Sequence, residues 1–314
     1  MQSKSNHVTT TRAKKRRALA RKNKSKIRRT IVRAVSSTNN NNIKQIFNIK
    51  FAIRYPKYSD FNSIKRFLLQ LFLKVKVDLP DMSSELIKQS NISIVIKQAF
   101  DSVKCKDNLN TSYNQVFGIS SIINITQQRS ESIANVHNLM LILSEKHGDN
   151  GTMQFVNKLL SDDKNQVGFL INERYLNIPP SISGPLFRII CKELSNKRTE
   201  NPLNNFAYLF MICKLYKVEK SKKGNIYVEG SQILWRNAEE QFFDIVADYK
   251  FEYCVQSENC TDPAGKWVEL NNSRMIPFRR VLIFSMNKFF LVTKKLESLS
   301  APKVIKRHSA YSPD

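Results

Sequence analysis

Apolar and polar positions alternate along residues 46–54, and this period of two is typical of a half-buried strand. Pro56 ends the strand. Asp60 then stands where it can cap a helix over Phe61–Phe72, in which apolar residues recur at helical spacing. The folded part of the chain is therefore predicted to begin with a strand and an amphipathic helix.

Similar patterns continue to residue 298. They predict strands at 92–97, 116–125, 167–175, 249–256 and 279–284, and helices at 130–143, 155–160, 180–195, 203–217, 237–247 and 286–298. Because strands and helices alternate, the predicted fold class is α/β, with a mixed central sheet flanked by helices. We expect a single domain over residues 46–300, between disordered tails at 1–45 and 301–314.

The transition from strand to helix at residues 167–187 carries the best candidate constellation. The apolar run Val167–Ile171 changes abruptly to polar residues, and a proline pair and a helical pattern follow. The polar residues are Asn172, Glu173, Arg174 and Asn177. They are consistent with an active-site set, with a binding edge for a partner, or with a salt bridge and cap that fix the corner structurally. The sequence leaves these three interpretations open.

A second polar group precedes the helix predicted at 237–247. Asn237 is a good N-cap residue, and Glu239 and Glu240 complement the helix dipole. We interpret this group as a helix start. Phe242 and Phe243, which follow, are expected to point into the core.

Charge is distributed unevenly. The chain has 314 residues and a net charge of +25, and residues 1–44 contain fourteen Lys or Arg and no acidic residue. This basic tail is a candidate nuclear localisation signal or nucleic-acid arm, and the alternatives are a merely solvated tail or a mitochondrial transit peptide. Dense Lys–Arg pairs favour the nuclear interpretation. The candidate residues are Lys14, Lys15, Arg16, Arg17, Arg21, Lys22, Lys24, Lys26, Arg28 and Arg29.

Few residues suggest catalytic, metal or cofactor chemistry. The five cysteines form no paired motif, the four histidines are scattered, and nucleotide-binding glycine loops are absent from the sequence. Cys191 and Cys213 lie in apolar patterns that we interpret as helical. Residues 115–120 match only the first half of the glycine pattern of acetyl-CoA-binding enzymes, and Gly118 is interpreted as a bulge or close-packing glycine. We expect no catalytic residue, cofactor or metal. No apolar run approaches the length of a membrane span.

Four segments occur in an order and spacing that resemble those of the BCCIP family, called BCP in yeast. They are VFGI with IINI at 116–125, NERYLNIPP at 172–180, NAEEQFF at 237–243 and RVLI at 280–283. The resemblance covers roughly Ile46 to Leu299. It implies a fold similar to GNAT acetyltransferases without the acetyl-CoA site.

The resemblance also implies a non-enzymatic nuclear adaptor and chaperone. The roles it implies are nuclear export or protein transport and the protection of a large-subunit ribosomal protein during ribosome biogenesis. In animals it adds contacts with cell-cycle and DNA-repair proteins. The implied partners are a protein client and nuclear transport factors, and the implied location is the nucleus, with shuttling to the cytoplasm.

Two alternatives stay open: a basic RNA- or ribosome-associated protein driven by the tail, and a divergent acyltransferase. One feature departs from the family. Its members commonly begin with an acidic tract, whereas this chain begins with a basic one. This difference puts the shielding of a basic client by an acidic tract in doubt here.

Overall fold

The computed structural model describes residues 32–36, 47–73, 75–89, 92–98, 115–197, 202–222, 225–227, 233–255, 268–270 and 273–300. Within them the strands are β1 Val32–Ser36, β2 Phe47–Arg54, β3 Ile94–Gln98, β4 Val116–Asn124, β5 Gln166–Arg174, β6 Phe206–Lys222, β7 Asn225–Tyr227, β8 Ile233–Trp235, β9 Tyr249–Cys254, β10 Val268–Leu270 and β11 Ser273–Ser285. The helices are α1 Phe61–Leu71, α2 Leu79–Lys88, α3 Glu131–His147, α4 Asn150–Leu160, α5 Ser183–Lys197, α6 Glu240–Val246 and α7 Met286–Ser300. Short 3-10 turns lie at Tyr58–Asp60, Pro180–Ile182 and Pro202–Asn204.

These strands form one sheet in the order β1-β2-β3-β4-β5-β6-β11-β10. Its neighbouring strands are antiparallel except β5 and β6, which are parallel and are connected through α5. β9 also pairs with β11, and β7 and β8 pair with β6. The predicted mixed α/β fold with a central sheet flanked by helices is therefore confirmed, and the sheet is mostly antiparallel. β4 and β5, which precede and follow helices α3 and α4, pair with each other, so the sheet is continuous across these helices.

Helices cover both faces of the sheet. Along β5, Phe169 packs into a core with residues of α1–α4, and Leu170 packs into a second core with residues of α5–α7. Because successive side chains of a strand point to opposite faces, each strand contributes to both cores. The molecule consequently has three layers, with α1–α4 on one side of the sheet and α5–α7 on the other.

The predicted helix at 203–217 is wrong, since these residues lie in β6 and the 3-10 turn before it. β6 pairs with β5 on one edge and with β11 on the other, and both its faces are buried. Such a strand is an unbroken apolar run whose periodicity cannot be told from that of a buried helix. Cys213 accordingly lies on a strand, whereas Cys191 lies on α5 as predicted.

Other differences are local. Helix α2 was not predicted, although Asp78 caps it by accepting a hydrogen bond from the Asp81 backbone at 2.9 Å. α4 begins earlier than predicted because Asp149 caps it through the Thr152 backbone at 2.7 Å. Asp60 precedes α1, but its carboxylate accepts from the Lys57 backbone and so caps the preceding turn.

Strand β1 lies inside the segment that we predict to be a disordered tail, so this prediction does not hold for residues 32–36. The predicted boundaries of the tails and the domain otherwise remain predictions. The ten basic residues of the candidate nuclear signal, between residues 14 and 29, lie outside the described residues.

Candidate functional site

The parallel strands β5 and β6 separate from each other near the middle of the sheet. Backbone pairing runs from Gln166 opposite Phe206 to Leu170 opposite Met211, and then stops although both strands continue. β8 takes over as the neighbour of β6, with Trp235 opposite Leu215. The candidate residues 172–174 lie on the part of β5 that has left β6, beside this division.

Strand alternation sends the candidate side chains to opposite faces. Asn172 and Arg174 lie on the face of α5–α7, and Glu173 lies on the face of α1–α4. All three are buried. Asn177 is exposed in the turn after β5, so the structure separates it from the others.

Arg174 forms a two-point ion pair with Glu239. Its Nε and Nη2 donate to the carboxylate oxygens of Glu239 at 3.2 and 2.6 Å, and its Nη1 donates to the backbone oxygen of Ile178 at 2.7 Å. The side chains of both partners are at most 3% exposed. Such a fork-shaped pair fixes direction as well as distance. It ties the end of β5 to the turn before α6.

Three amide and carboxyl groups extend this pair. Nδ2 of Asn172 donates to Oε1 of Glu239 at 3.1 Å and to Oε1 of Glu240 at 3.2 Å, and its Oδ1 accepts from Ser120 at 2.9 Å. Nδ2 of Asn237 donates to Oε1 of Glu240 at 2.7 Å and to the backbone oxygen of Asn172 at 3.0 Å. The last bond supplies β5 with a partner where the backbone of β6 no longer does.

Glu240 sits in this group without a cation of its own. Burial, followed by the neighbouring carboxylate of Glu239, raises the pKa of Glu240 to about 8. A protonated Glu240 leaves Arg174 and Glu239 as a balanced pair, which a low-dielectric interior favours. Burial, followed by the charge of Glu240, also raises the pKa of the Cys213 thiol well above its ordinary value.

A second ionic group occupies the opposite face. Glu173 pairs there with Lys214 of β6. Burial lowers the pKa of Lys214 and that of Arg279, which lies across from Lys214 on β11. Arg279 donates to the backbone oxygen of Gln70 at 3.1 Å, near the C-terminal end of α1, where the helix dipole favours a cation.

Gly118 lies directly against this corner. A Cβ at this position would come within 2.8 Å of Cβ of Arg174 and of Cδ1 of Ile96, and within 2.9 Å of the backbone oxygen of Glu173. The β3–β4 register also shifts beside it, between Ile96 and Lys97. Of the two interpretations of Gly118, bulge or close-packing glycine, the close packing is confirmed, and the shift in register lies beside it.

The structure thus joins two groups that the sequence showed separately, the corner at 172–174 and the acids at 239–240. Asn237 does not cap α6, because Glu239 precedes the helix and the Asn237 amide points to β5. Phe243 is fully buried as expected, whereas Phe242 is half-buried. Ser120, Lys214 and Arg279 were missed, because isolated polar residues in strands give no signal of their partners.

The buried groups chiefly bind one another. In the described part of the chain, the side-chain atoms of this group without a hydrogen-bond partner are Oδ1 of Asn237, Oε2 of Glu240 and Nε of Arg279. Within the same residues, no group of three or more histidine, cysteine or acidic side chains is placed to hold a metal ion. The arrangement favours the structural-corner interpretation of Asn172, Glu173 and Arg174. Among the described helices, none is both long and apolar enough to span a membrane.

Comparisons with known sequences find relatives of this chain in one family. The family model described as BCCIP matches residues 46–243. The human BRCA2 and CDKN1A-interacting protein is 32% identical over 261 residues, which covers 81% of this chain and 82% of the human protein. The Protein BCCIP homolog of Drosophila melanogaster is 30% identical over 244 residues, covering 76% of this chain and 80% of that protein.

A solved structure matches as well. The crystal structure of BCP1 from Saccharomyces cerevisiae superposes with a TM-score of 0.54 and 15% identity, and the match covers 83% of this chain and 94% of that one. At this identity the likeness concerns the fold alone.

Proposed function

The chain belongs to the BCCIP family, and on that premise we propose that it is a non-enzymatic protein-binding adaptor and chaperone. The observation that carries the proposal is the match with proteins named for their interactions, over about four-fifths of both chains. The binding partners in those names belong to those relatives. For this chain we propose a protein client, such as a ribosomal protein of the large subunit, and nuclear transport factors.

The geometry of the corner supports a binding protein whose contact surface lies elsewhere. Arg174 and Glu239 are buried and bind each other at both carboxylate oxygens. A buried, mutually satisfied pair gives little to an incoming partner, and its loss leaves a buried charge uncompensated. We therefore assign Asn172 and Arg174 to holding β5 against the turn before α6, and Glu173 to holding it against β6. We assign client binding to the outer surface of the folded domain.

Purification of the tagged protein from nuclease-treated extract tests the proposal. The full chain is compared with a chain lacking residues 1–29, a deletion that ends before β1 and leaves its pairing with β2 intact. We expect one protein client to remain bound in near-stoichiometric amount to both. Retention of RNA fragments or whole ribosomes only, lost with residues 1–29, would contradict the proposal.

That second outcome would favour the other candidate function, a basic RNA- or ribosome-associated protein. Its basis is the concentration of positive charge in residues 1–44. Phosphate contacts of this kind weaken steeply as the salt concentration rises. Nuclear location is a further proposal, tested by imaging the full chain and the chain lacking residues 1–29 in living cells.

Acyltransferase activity is the third candidate, and the GNAT-like fold remains a prediction. Titration with acetyl-CoA in a calorimeter tests this candidate directly. We expect no saturable heat, and a saturable signal lost on substitution of the residues between β5 and β6 would contradict the adaptor proposal.

A further inference from the structure

The outer side of α1 and of the 3-10 turn before it forms a surface of exposed apolar and basic side chains. Its apolar members are the exposed Tyr58 and Leu69 and the half-buried Phe61, and Lys65 lies between Phe61 and Leu69. Positions 61, 65 and 69 are four residues apart and therefore share one side of the helix. We call these residues, together with Lys57 and Arg66, the α1 surface.

The apolar side chains of this surface are not needed for the core. The inner side of α1 already fills it with Ile64, Phe67 and Leu68, which are buried. Tyr58 is 79% exposed and Leu69 is 51% exposed, although burial of such side chains is favourable. Singly exposed apolar residues are common, but here exposed Tyr58 stacks on Phe61, and exposed Leu69 lies on the same helix side as Phe61. Apolar side chains grouped in this way are typical of a contact surface.

The two aromatic rings of the α1 surface hold each other in place. Tyr58 and Phe61 stack with ring centroids 5.9 Å apart and an interplanar angle of 28°. A ring that is already ordered loses little conformational entropy when a partner covers it. Aromatic anchors of this kind contribute strongly to protein interfaces.

The surface is basic without compensation from its own helix. Lys57, Lys65 and Arg66 are exposed, and the sequence of α1 contains no acidic residue. The neighbouring acid, Asp60, is buried and accepts from both terminal nitrogens of Arg54 at 2.7 and 2.8 Å. Its charge is thus already neutralised, and the α1 surface presents net positive charge to solvent.

The positive charge of the chain also limits which kind of partner can cover the α1 surface. Residues 1–44 carry no acidic side chain, and residues 301–314 are net basic, so neither tail complements this surface. A second copy of the chain, at +25, is repelled as well. We propose that the α1 surface docks an acidic segment of another protein, with large apolar side chains that cover Tyr58 and Leu69. This surface goes beyond the proposed function, because it assigns a second partner to the adaptor, distinct from a basic ribosomal client.

Fluorescence anisotropy with two short labelled peptides of equal negative charge tests the proposal. One peptide combines Asp and Glu with Leu and Phe, and the other has Ser in place of every apolar residue. The full chain is titrated at physiological ionic strength, so that attraction to the basic tail affects both peptides equally. We expect the wild-type protein to bind the acidic apolar peptide more tightly than the acidic serine peptide.

Matched variants locate the site. K65E/R66E should weaken binding of the acidic apolar peptide by about tenfold, since close charge pairs at an interface contribute a kcal/mol or more. Leu69→Ser should weaken it by roughly fivefold through lost apolar burial and leave the serine peptide unaffected. The controls are K192E/K294E and Leu291→Ser, which change exposed residues of α5 and α7 on the opposite side of the sheet. They should bind both peptides as the wild type does.

Three results would overturn the proposal. The first is equal binding of the two peptides by the wild type, and the second is an equal loss in the α1 variants and the controls. The third is competition by oligouridylate that disappears in K65E/R66E, which would make the α1 surface a nucleic-acid site. Both forms compared in the purification experiment carry the α1 surface unchanged, so failure of this inference is distinguishable from failure of the adaptor proposal.

Discussion

Removal of the Arg174 guanidinium should destabilise the fold strongly. Arg174→Met keeps much of the side-chain volume but leaves the Glu239 carboxylate, 1% exposed, without its cation. The change removes two bonds to Glu239 and one to the backbone oxygen of Ile178. Breaking a buried pair on one side costs about 3–5 kcal/mol.

The loss should be visible as a large shift of the unfolding transition. Total stabilities of domains are about 5–15 kcal/mol, so this change takes away a substantial fraction. For a domain of this size it corresponds to a fall in melting temperature of roughly 6–20 °C. Urea titration followed by the fluorescence of half-buried Trp235, two residues before Asn237, measures the free energy of unfolding.

Two further variants make the experiment specific. R174M/E239M removes both charges and should recover at least about 1 kcal/mol relative to Arg174→Met, since no unpaired acid remains from the pair. Arg188→Met removes one partner of the more exposed pair with Glu297 at 3.3 Å and should cost less than about 1 kcal/mol. Equal stabilities of Arg174→Met and Arg188→Met would refute the assignment of this pair to the structural corner.

Three other predictions follow from single groups. Because the pKa of Glu240 is raised to about 8, the folded state holds the proton of this carboxyl more tightly than the unfolded state does. The wild type should therefore lose stability relative to Glu240→Gln as pH rises from about 5 to 8, by at most about 1.4 kcal/mol per pH unit. A difference in unfolding free energy between the two proteins that stays constant across this range, measured by urea titration, would contradict the prediction. Gly118→Ala should cost about 1–3 kcal/mol of stability through overpacking. Gly151→Ala should be neutral or stabilising in thermal melts, because the atom nearest to the new Cβ would lie 3.6 Å away. Similar effects of the two substitutions would count against the close packing at Gly118. Cys254 is exposed and Cys213 is fully buried with a raised pKa, so peptide-level mass spectrometry after maleimide treatment of the native protein should find Cys254 labelled before Cys213. Labelling of Cys213 as early as Cys254 would show that the core opens there.

The alternation of β2 and the polar ending of β5 could be predicted because each pattern is local. Residues 47–54 and 166–174 lie within one position of the predicted strands. β6 could not be assigned in this way, because its type depends on neighbours far away in sequence, β5 and β11. Its apolar run satisfies a helix and a doubly buried strand equally well.

The candidate site could be predicted only in part, because its local patterns can be read from the sequence and its long-range pairings cannot. Charged residues at the end of an apolar strand indicated a corner, and the acids at 239 and 240 indicated a helix start. Their pairing joins residues 65 positions apart, and it arises because β8 continues beside β6 where β5 leaves it. Neither the spacing of charges nor the periodicity of the sequence indicates where β5 and β6 separate. The partners of Arg174 and Glu173 could therefore be identified only from the structure.

The ratio of bound client in the two purified forms, full chain and chain lacking residues 1–29, tests the central claim most directly. Quantitative mass spectrometry of nuclease-treated preparations at moderate salt gives this ratio. The account predicts a single protein client at equal yield in both forms, because the folded domain makes the contact. Loss of the client with the basic tail would contradict it.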